Sequence, residues 1–336
     1  MQVLYATGFN AWGQLQFNTT AVPEDEPDDI WAFTRVRQDH KIVHVRPSLS
    51  YTEVTTSEGI ATAGAAPVAP VDISRISDGN NLHFAEALNG CVLVYDKNEG
   101  ALLQYASADD YSAAIHRRIG DDAAILTDVP CSRFAGYPGV RQVVAYDVGF
   151  AILTTDGQVW TWGDPRFPEC LGRDVTESPA ERPGLVTALD DLPTGPIVKL
   201  AAGGHVLAAV TQGRDLYCWG GYPGRRPVLL EGVTGEPTPI VVSATSADGY
   251  TEDVDVVDVG MGDGHMIVLA TDGSVFVLGS NANGQLGIGH DSNDARRPPV
   301  LEKKIVTTWV KVRSLPPGQV TGVYAGPKSS FIVVTE

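Results

Sequence analysis

Histidine and cysteine side chains are the first candidates for chemistry in this sequence, because both bind metals and both act in catalysis. The chain has seven histidines and four cysteines, and the cysteines lie far apart, at Cys91, Cys131, Cys170 and Cys218. The sequence contains no zinc-ligand spacing, Cys-x-x-Cys pair, nucleophile motif or phosphate-binding loop. We therefore predict a protein without a catalytic residue, a metal site or a cofactor site.

Recognition of a partner protein is the second kind of chemistry, and aromatic and arginine side chains carry most of the energy at protein interfaces. Trp12 lies in a glycine-rich segment, and Trp31 follows the acidic run at 24–29. That run is interpreted either as a solvated loop or as a docking site for a basic partner. For Trp31 and its neighbour Phe33, packing in the core is an equally good interpretation.

Two arginine pairs stand out in an acidic chain, namely Arg225-Arg226 and Arg296-Arg297. Each pair comes shortly after an apolar run, so both pairs are expected on one rim of the molecule. They bind an acidic partner there, or they form ordinary ion pairs with nearby carboxylates. The predicted partner-binding residues are thus these four arginines together with Trp12 and Trp31.

The charge balance narrows the choice of partner. Lys and Arg number 24 against 41 Asp and Glu, a net charge of −17, which disfavours direct binding to nucleic acid or to an anionic membrane. The sequence contains no apolar run long enough to cross a bilayer, and its first residues do not resemble a signal peptide. Scattered reduced cysteines are typical of the cytoplasm and the nucleus, and both locations are expected.

One phrase recurs along the chain: an apolar run, a polar turn ending in glycine, and a second apolar strand. It reads FAILTTDGQVWTWG at 150–163, VLAAVTQGRDLYCWG at 206–220 and MIVLATDGSVFVLG at 266–279. Weaker copies lie at 51–64 and 91–106. Glycine tolerates the positive φ of a tight turn, so each copy is predicted to be a β-hairpin.

The two ends of the chain supply one more copy. The chain finishes with SSFIVVTE, the first half of the phrase, and starts with MQVLYATG, the second half. Pairing these ends closes a ring and removes two exposed sheet edges. We therefore predict a single all-β domain over 1–336, a β-propeller of about six blades in which each blade takes about 56 residues.

Two segments resemble the repeat signature of the regulator of chromosome condensation family. They are Gly279 to Gly289, GSNANGQLGIG, and Gly8 to Leu15, GFNAWGQL. The resemblance implies a propeller, usually of seven blades, so that a degenerate seventh blade remains open. We expect each signature Asn to bond the backbone two residues on, and Leu15 and Leu286 to anchor the loops in the core. In this family, histidines placed like His205 and His265 face the channel or bond backbone between blades.

The resemblance also carries expectations about function. The chain is most similar to the compact single-domain members of the alpha-tubulin suppressor type, which implies a non-enzymatic scaffold or regulatory subunit, monomeric or heterodimeric. Its implied partner is a small CSL-type zinc protein of diphthamide synthesis, which also serves Elongator-dependent modification of wobble uridines in tRNA. The alternatives are a guanine-nucleotide exchange factor for a Ran-like GTPase and a chromatin-associated adaptor for a Jumonji-type oxygenase.

Overall fold

The computed structural model describes residues 1–17, 27–66, 84–119, 129–137, 139–221, 233–245, 251–289 and 305–336. Almost all regular structure in these ranges is β, arranged as six antiparallel sheets around a central channel. The structure confirms the predicted propeller and its count of six blades within the described residues. A separate short hairpin lies between blades 4 and 5 in sequence, and one helix lies within blade 2, between its third and fourth strands.

Five blades follow one another along the chain, and each begins with the strand that lines the channel. Blade 1 has β3 (Ile42–Pro47), β4 (Tyr51–Thr56) and β5 (Gly59–Gly64); blade 2 has β6 (Phe84–Glu86), β7 (Val92–Asp96), β8 (Ala101–Tyr105) and β9 (Cys131–Ala135); blade 3 has β10 (Val140–Tyr146), β11 (Gly149–Thr154), β12 (Val159–Gly163) and β13 (Gly184–Leu185); blade 4 has β14 (Ile197–Gly203), β15 (Val206–Thr211), β16 (Leu216–Gly220) and β17 (Thr238–Ile240); blade 5 has β20 (Val256–Met261), β21 (His265–Ala270), β22 (Val275–Ser280) and β23 (Ile305–Lys311).

Blade 6 joins the two ends of the chain. Its strand order is β24 (Gln319–Gly326), β25 (Ser329–Thr335), β1 (Gln2–Gly8) and β2 (Ile30–Asp39). The terminal strands β1 and β25 pair antiparallel without a register break, from Gln2 opposite Thr335 to Gly8 opposite Ser329. The predicted split hairpin is therefore confirmed.

The remaining elements connect strands within a blade or one blade to the next. The short hairpin of β18 (Ser243–Thr245) and β19 (Thr251–Asp253) precedes blade 5. The helix α1 (Ala108–Ile119) lies between β8 and β9, and short 3-10 turns cover Pro168–Leu171 and Thr187–Leu189. In the described part of the chain, no helix is long and apolar enough to cross a membrane.

The second strands of blades 3, 4, 5 and 6 read as apolar runs because they are covered on both faces by neighbouring blades. All six residues of β11 and all six of β21 are buried. Trp162 and Trp219 fill the spaces between blades 2 and 3 and between blades 3 and 4, and both are almost wholly buried. The core is thus a ring of packed layers, and the loops at the two faces are the surface left for recognition.

The hairpin turns agree with the sequence, with one exception. Gly157 and Gly273 adopt φ of +89° and +83° in the turns between the second and third strands. In blade 4 the predicted glycine, Gly213, does not take this conformation, and Arg214 adopts φ +77° instead. The glycine of blade 4 comes one residue too early in the turn. Arg214 takes the position that Gly157 has in blade 3, because Arg214 donates its backbone N–H to Thr211 as Gly157 does to Thr154.

Candidate functional site

The first strands enclose a channel with a volume of about 400 Å³. One face of the disc, called here the signature face, carries the turns between first and second strands and the loops that follow third strands. The two segments that resemble the family signature, residues 9–16 and 281–289, are both loops of this kind and are called the signature loops. The opposite face carries the turns between second and third strands, including those at Gly157 and Gly273.

The first signature loop, residues 9–16, is fixed by its own polar side chains. The buried Asn10 accepts a hydrogen bond from the backbone N–H of Leu15 at 3.0 Å, and Gln14 accepts one from Trp12. The Gln14 amide also donates to the Leu49 carbonyl of blade 1 at 3.0 Å. Leu15 is buried, as predicted, while Asn10 bonds five residues on rather than the expected two.

The second signature loop, residues 281–289, repeats this construction. Asn281 accepts from the N–H of Leu286 at 3.0 Å, and Gln285 accepts from Asn283 at 2.9 Å. Leu286 is fully buried. The predicted span of two residues is again wrong, because the Asn side chain closes the loop across its base and so leaves the tip in a fixed shape. The signature is therefore a loop-shaping motif.

Asp29 links the two signature loops. One carboxylate oxygen accepts from the Asn10 backbone at 3.1 Å, and the other accepts from the Asn283 side-chain amide at 2.8 Å. Asp29 is the last residue of the acidic run at 24–29, of which residues 24–26 lie outside the described residues. Neither interpretation of the run holds for Asp29, because its carboxylate is committed to holding blades 5 and 6 together.

Trp12 and Trp31 have different environments. Trp12 lies in the first signature loop with 55% of its surface exposed, so it is available to a partner. Trp31 is half-buried at the start of β2, where its carbonyl accepts the Gly289 N–H, and Phe33 is buried against Gly287. A Cβ on Gly284 would lie 2.9 Å from Trp31 Cα, which explains the glycine there.

Arg225, Arg226, Arg296 and Arg297 lie outside the described residues, and their partner-binding role stays a prediction.

The two histidines singled out in the sequence connect neighbouring blades. His265 is buried in blade 5, with Nε2 3.1 Å from Ser330 Oγ and 3.3 Å from the Ser329 carbonyl of blade 6. Burial lowers its pKa to about 4, so the imidazole is neutral near pH 7. His205 places Nδ1 3.5 Å from Asp147 of blade 3 and its ring 4.8 Å from that of Phe167.

A repeated β-bulge supplies polar side chains that the sequence reading missed. In five blades, one residue is skipped in the pairing of the first strand with the second. After the bulge come His44, Gln142, Lys199, Asp258 and Gly322. Three of these, His44, Gln142 and Lys199, line the channel. A bulge shifts which face a side chain points to, and a hydropathy pattern does not show such a shift in advance.

These side chains tie each blade to the next. The Gln142 amide donates to the Leu200 carbonyl at 2.6 Å and accepts from the Leu200 N–H at 2.9 Å, joining blades 3 and 4. Lys199 Nζ lies 2.7 Å from Asp258 Oδ1, joining blades 4 and 5. Asp258 Oδ2 accepts from the Val323 N–H at 3.0 Å, joining blades 5 and 6.

The electrostatics of the channel suit a structural role for these groups. Burial alone would lower the pKa of Lys199, but the Asp258 carboxylate raises it. The net effect is a raised pKa, so the amine stays protonated. Burial, reinforced by the cations of Lys199 and Arg46, lowers the pKa of His44 to about 3. Arg46 is itself paired with Glu53. Because Lys199 and Arg46 each have a carboxylate partner, these two cations add little net charge to the channel wall.

The mouth of the channel on the signature face is partly apolar. Leu49, in the turn after β3, and Leu88, in the turn after β6, are 37% and 65% exposed, and both line the mouth. The hydrogen bond from Gln14 to the Leu49 carbonyl fixes the signature loop that carries Trp12 beside this turn. Exposed apolar side chains therefore extend from Trp12 across blades 1 and 2 to the channel.

The same mouth is acidic on balance. Glu86, Asp147 and Asp263 line it, against the ammonium of Lys328 and the guanidinium of Arg46, which is already paired with Glu53. Asp147 and Asp263 lie on either side of Gly204. The Gly204 carbonyl accepts the Asp147 N–H, and a Cβ added at Gly204 would lie 3.0 Å from Asp263 Oδ1. Burial raises the pKa of Asp147, His205 lowers it, and the Asp263 carboxylate raises it further.

The thiols offer no nucleophile in the core. Cys170 and Cys218 are buried, and burial raises the pKa of Cys170 to about 12 and that of Cys218 further still. Among the described residues, no group of three or more His, Cys, Asp or Glu side chains is placed to hold a metal ion. The described geometry is that of a rigid disc with one structured, partly apolar and acidic face.

A family model described as "Regulator of chromosome condensation (RCC1) repeat" matches residues 256–285, and a second model of the same description matches residues 272–333. These ranges cover blade 5, its signature loop and the first two strands of blade 6. The chain therefore carries regulator of chromosome condensation repeats, and the resemblance found in the sequence is confirmed at this level.

Curated relatives extend the similarity along the chain. The human E3 ubiquitin-protein ligase HERC2 is 26% identical over 291 residues, which is 83% of this chain and 5% of that protein. The human Regulator of chromosome condensation is 31% identical over 151 residues, which is 44% of this chain and 32% of that protein. The chain thus spans a minor share of the length of these relatives.

Solved structures support the fold. Human WBSCR16 superposes with a TM-score of 0.59 at 16% identity, covering 100% of this chain and 99% of that one. Prp20p from Saccharomyces cerevisiae, described with its binding properties to Gsp1p and histones, gives a TM-score of 0.59 at 13% identity, covering 100% of this chain and 92% of that one. At these identities the likeness concerns the propeller architecture alone.

Proposed function

We propose that this propeller of regulator of chromosome condensation repeats is a non-enzymatic interaction scaffold or regulatory subunit that binds a protein partner through its signature face. The observation that carries the proposal is Trp12, which is 55% exposed on a loop whose shape is fixed by Asn10 and Gln14. A large aromatic side chain held on a preorganised loop loses little conformational entropy on binding, which makes it an effective anchor.

The partner that we propose is a small CSL-type zinc protein of diphthamide synthesis, which would connect the chain to Elongator-dependent tRNA modification. Support comes from the resemblance to the compact members of the alpha-tubulin suppressor type. The four arginines at 225, 226, 296 and 297 would steer an acidic partner, with faster association at low salt. Replacing all four by alanine should slow association and weaken its salt dependence if they contribute.

The first experiment is affinity purification of the tagged chain from its source organism, followed by mass spectrometry, with the Trp12→Ala variant as the matched control. Recovery of a small zinc protein, reduced by Trp12→Ala, supports the proposal. Recovery of a Jumonji-type oxygenase would point to a chromatin-associated adaptor instead. If no protein is enriched over the variant, the scaffold function is contradicted.

Guanine-nucleotide exchange on a Ran-like GTPase is the second candidate. It is favoured by the relatives named Regulator of chromosome condensation and by the structural likeness to Prp20p. The test is release of a fluorescent guanine nucleotide from a Ran-like GTPase: acceleration by catalytic amounts of the chain supports exchange activity, and a rate equal to the spontaneous one excludes it.

A further inference from the structure

The channel mouth on the signature face combines exposed apolar side chains with carboxylates. Leu49 and Leu88 present apolar surface at the channel mouth, with exposures of 37% and 65%. Leu88 lies two residues after the carboxylate of Glu86 on the same turn. Exposed apolar side chains grouped at a concave opening are typical of a docking site rather than of ordinary surface.

The carboxylates set the sign of the partner. Asp147 and Asp263 flank Gly204, and Asp147 is half-buried. Asp147 also lies beside the Leu88 turn, because its carbonyl accepts the Asn89 N–H at 3.0 Å, and His205 Nδ1 lies 3.5 Å from its carboxylate. The neighbouring carboxylates of Asp147 and Asp263 repel each other, so a cationic group brought between them is attracted. The Lys328 ammonium at the mouth lies over the ring of Phe9, 5.5 Å from the centroid.

We infer that the channel mouth is a docking site for an extended segment of a partner protein that carries one large apolar side chain close to a lysine or arginine. The apolar side chain rests on Leu49 and Leu88, and the cation reaches Asp147 and Asp263. Charge complementarity selects this occupant, because an acidic segment would meet three carboxylates at the mouth. The inference deepens the proposed scaffold function and rests on it.

The channel below the mouth limits how far such a segment enters. The side chains of His44, Gln142 and Lys199 fill the wall further along, and Gln142 and Lys199 are already bonded to neighbouring blades. The partner side chain is therefore expected to stop in the upper part of the channel. This geometry favours a short linear segment over a flat protein surface.

The test is selection of a phage-displayed library of random linear peptides on the immobilised full chain. The expected result is enrichment of peptides with Phe, Leu, Met or Trp beside Lys or Arg. A synthetic peptide from the selection should then bind about tenfold more weakly to the Leu49→Ser/Leu88→Ser variant and to the Asp147→Asn/Asp263→Asn variant. The control is Val241→Ser/Val257→Ser, which removes two exposed valines away from the signature face and should leave the affinity unchanged.

The outcomes separate this inference from the scaffold function. No enrichment, enrichment of acidic peptides, or an affinity equal in all three variants overturns the docking site. If a partner recovered from cells binds the chain but is not displaced by the selected peptide, the scaffold function stands and the docking site is wrong. Melting temperatures of the variants close to that of the parent chain exclude misfolding as the cause of a loss.

Discussion

The backbone of Arg214 is strained, because this residue occupies a turn position that in other blades is taken by glycine. Arg214 is an exposed residue with φ +77°, in a conformation that costs an L-residue about 1 kcal/mol and glycine little. Arg214→Gly should therefore raise the free energy of unfolding by up to about 1 kcal/mol. Urea unfolding followed by circular dichroism measures the change.

The matched control uses a turn that already has glycine. Gly273 has φ +83°, and a Cβ there would meet no atom within 4 Å, so Gly273→Ala introduces backbone strain alone. It should lower the free energy of unfolding by about 1 kcal/mol. If Arg214→Gly destabilised the protein as well, the strain at Arg214 would not be the controlling factor.

The buried His265 predicts a dependence of stability on pH. Its pKa is about 4 in the folded protein against 6.5 when exposed, so between these values the unfolded chain binds more protons than the folded one. Titration of His265 therefore does not lower the free energy of unfolding above pH 6.5. As the pH is lowered from 6.5 towards 4, this free energy falls by about 3 kcal/mol in total. Urea unfolding at pH 7.0 and 4.5 measures it.

The control for this prediction is His265→Gln, which retains a polar side chain and does not titrate. The difference in unfolding free energy between the two pH values should be smaller in the variant than in the parent chain. An equal difference in both proteins would show that other groups, and not His265, govern the acid sensitivity.

At the scale of elements, the signature loops behave as one unit through Asp29. Removing its carboxylate leaves the buried Asn10 backbone N–H and the Asn283 amide without their acceptor. Asp29→Ala should cost about 2 kcal/mol of unfolding free energy. Asp28→Ala is the control, because the Asp28 side chain is exposed and only its backbone carbonyl bonds Asn10; it should change stability by less than about 0.5 kcal/mol.

Hairpins were the most predictable elements. In blades 3, 4 and 5 the second and third strands are mostly buried and apolar, and the turn glycines mark their ends. The bulges before His44, Gln142, Lys199 and Asp258 were not predictable, because a register break is set by packing against the next blade. The role of Asp29 was hidden for the same reason: its partners lie 19 and 254 residues away in sequence.

For the molecule as a whole, closure through the termini should control stability. Strand β1 pairs with β25 on one side and with β2 on the other, and Val3, Leu4 and Ala6 are fully buried. Deleting residues 1–7 removes this packing and exposes two sheet edges, a loss on the order of the whole stability of a domain. The truncated chain is expected to be unfolded or aggregated, as measured by thermal unfolding.

A circular permutant provides the control for closure. The Glu336 backbone N–H lies 3.2 Å from the Met1 carbonyl oxygen, so a short linker joins the ends without strain. New ends opened in the exposed turn at 155–156 should give a protein that melts close to the parent chain. A truncated chain as stable as the parent chain would contradict ring closure.

We propose that the signature face is the surface through which this propeller binds a protein. Hydrogen–deuterium exchange of the chain, alone and with the partner recovered from cells, measures where the partner binds. We expect slower exchange in the complex for the first signature loop and for the turns at 47–51 and 87–91, with unchanged exchange in the turns at 155–158 and 271–274. Protection confined to the latter turns, with the signature face unchanged, would contradict it.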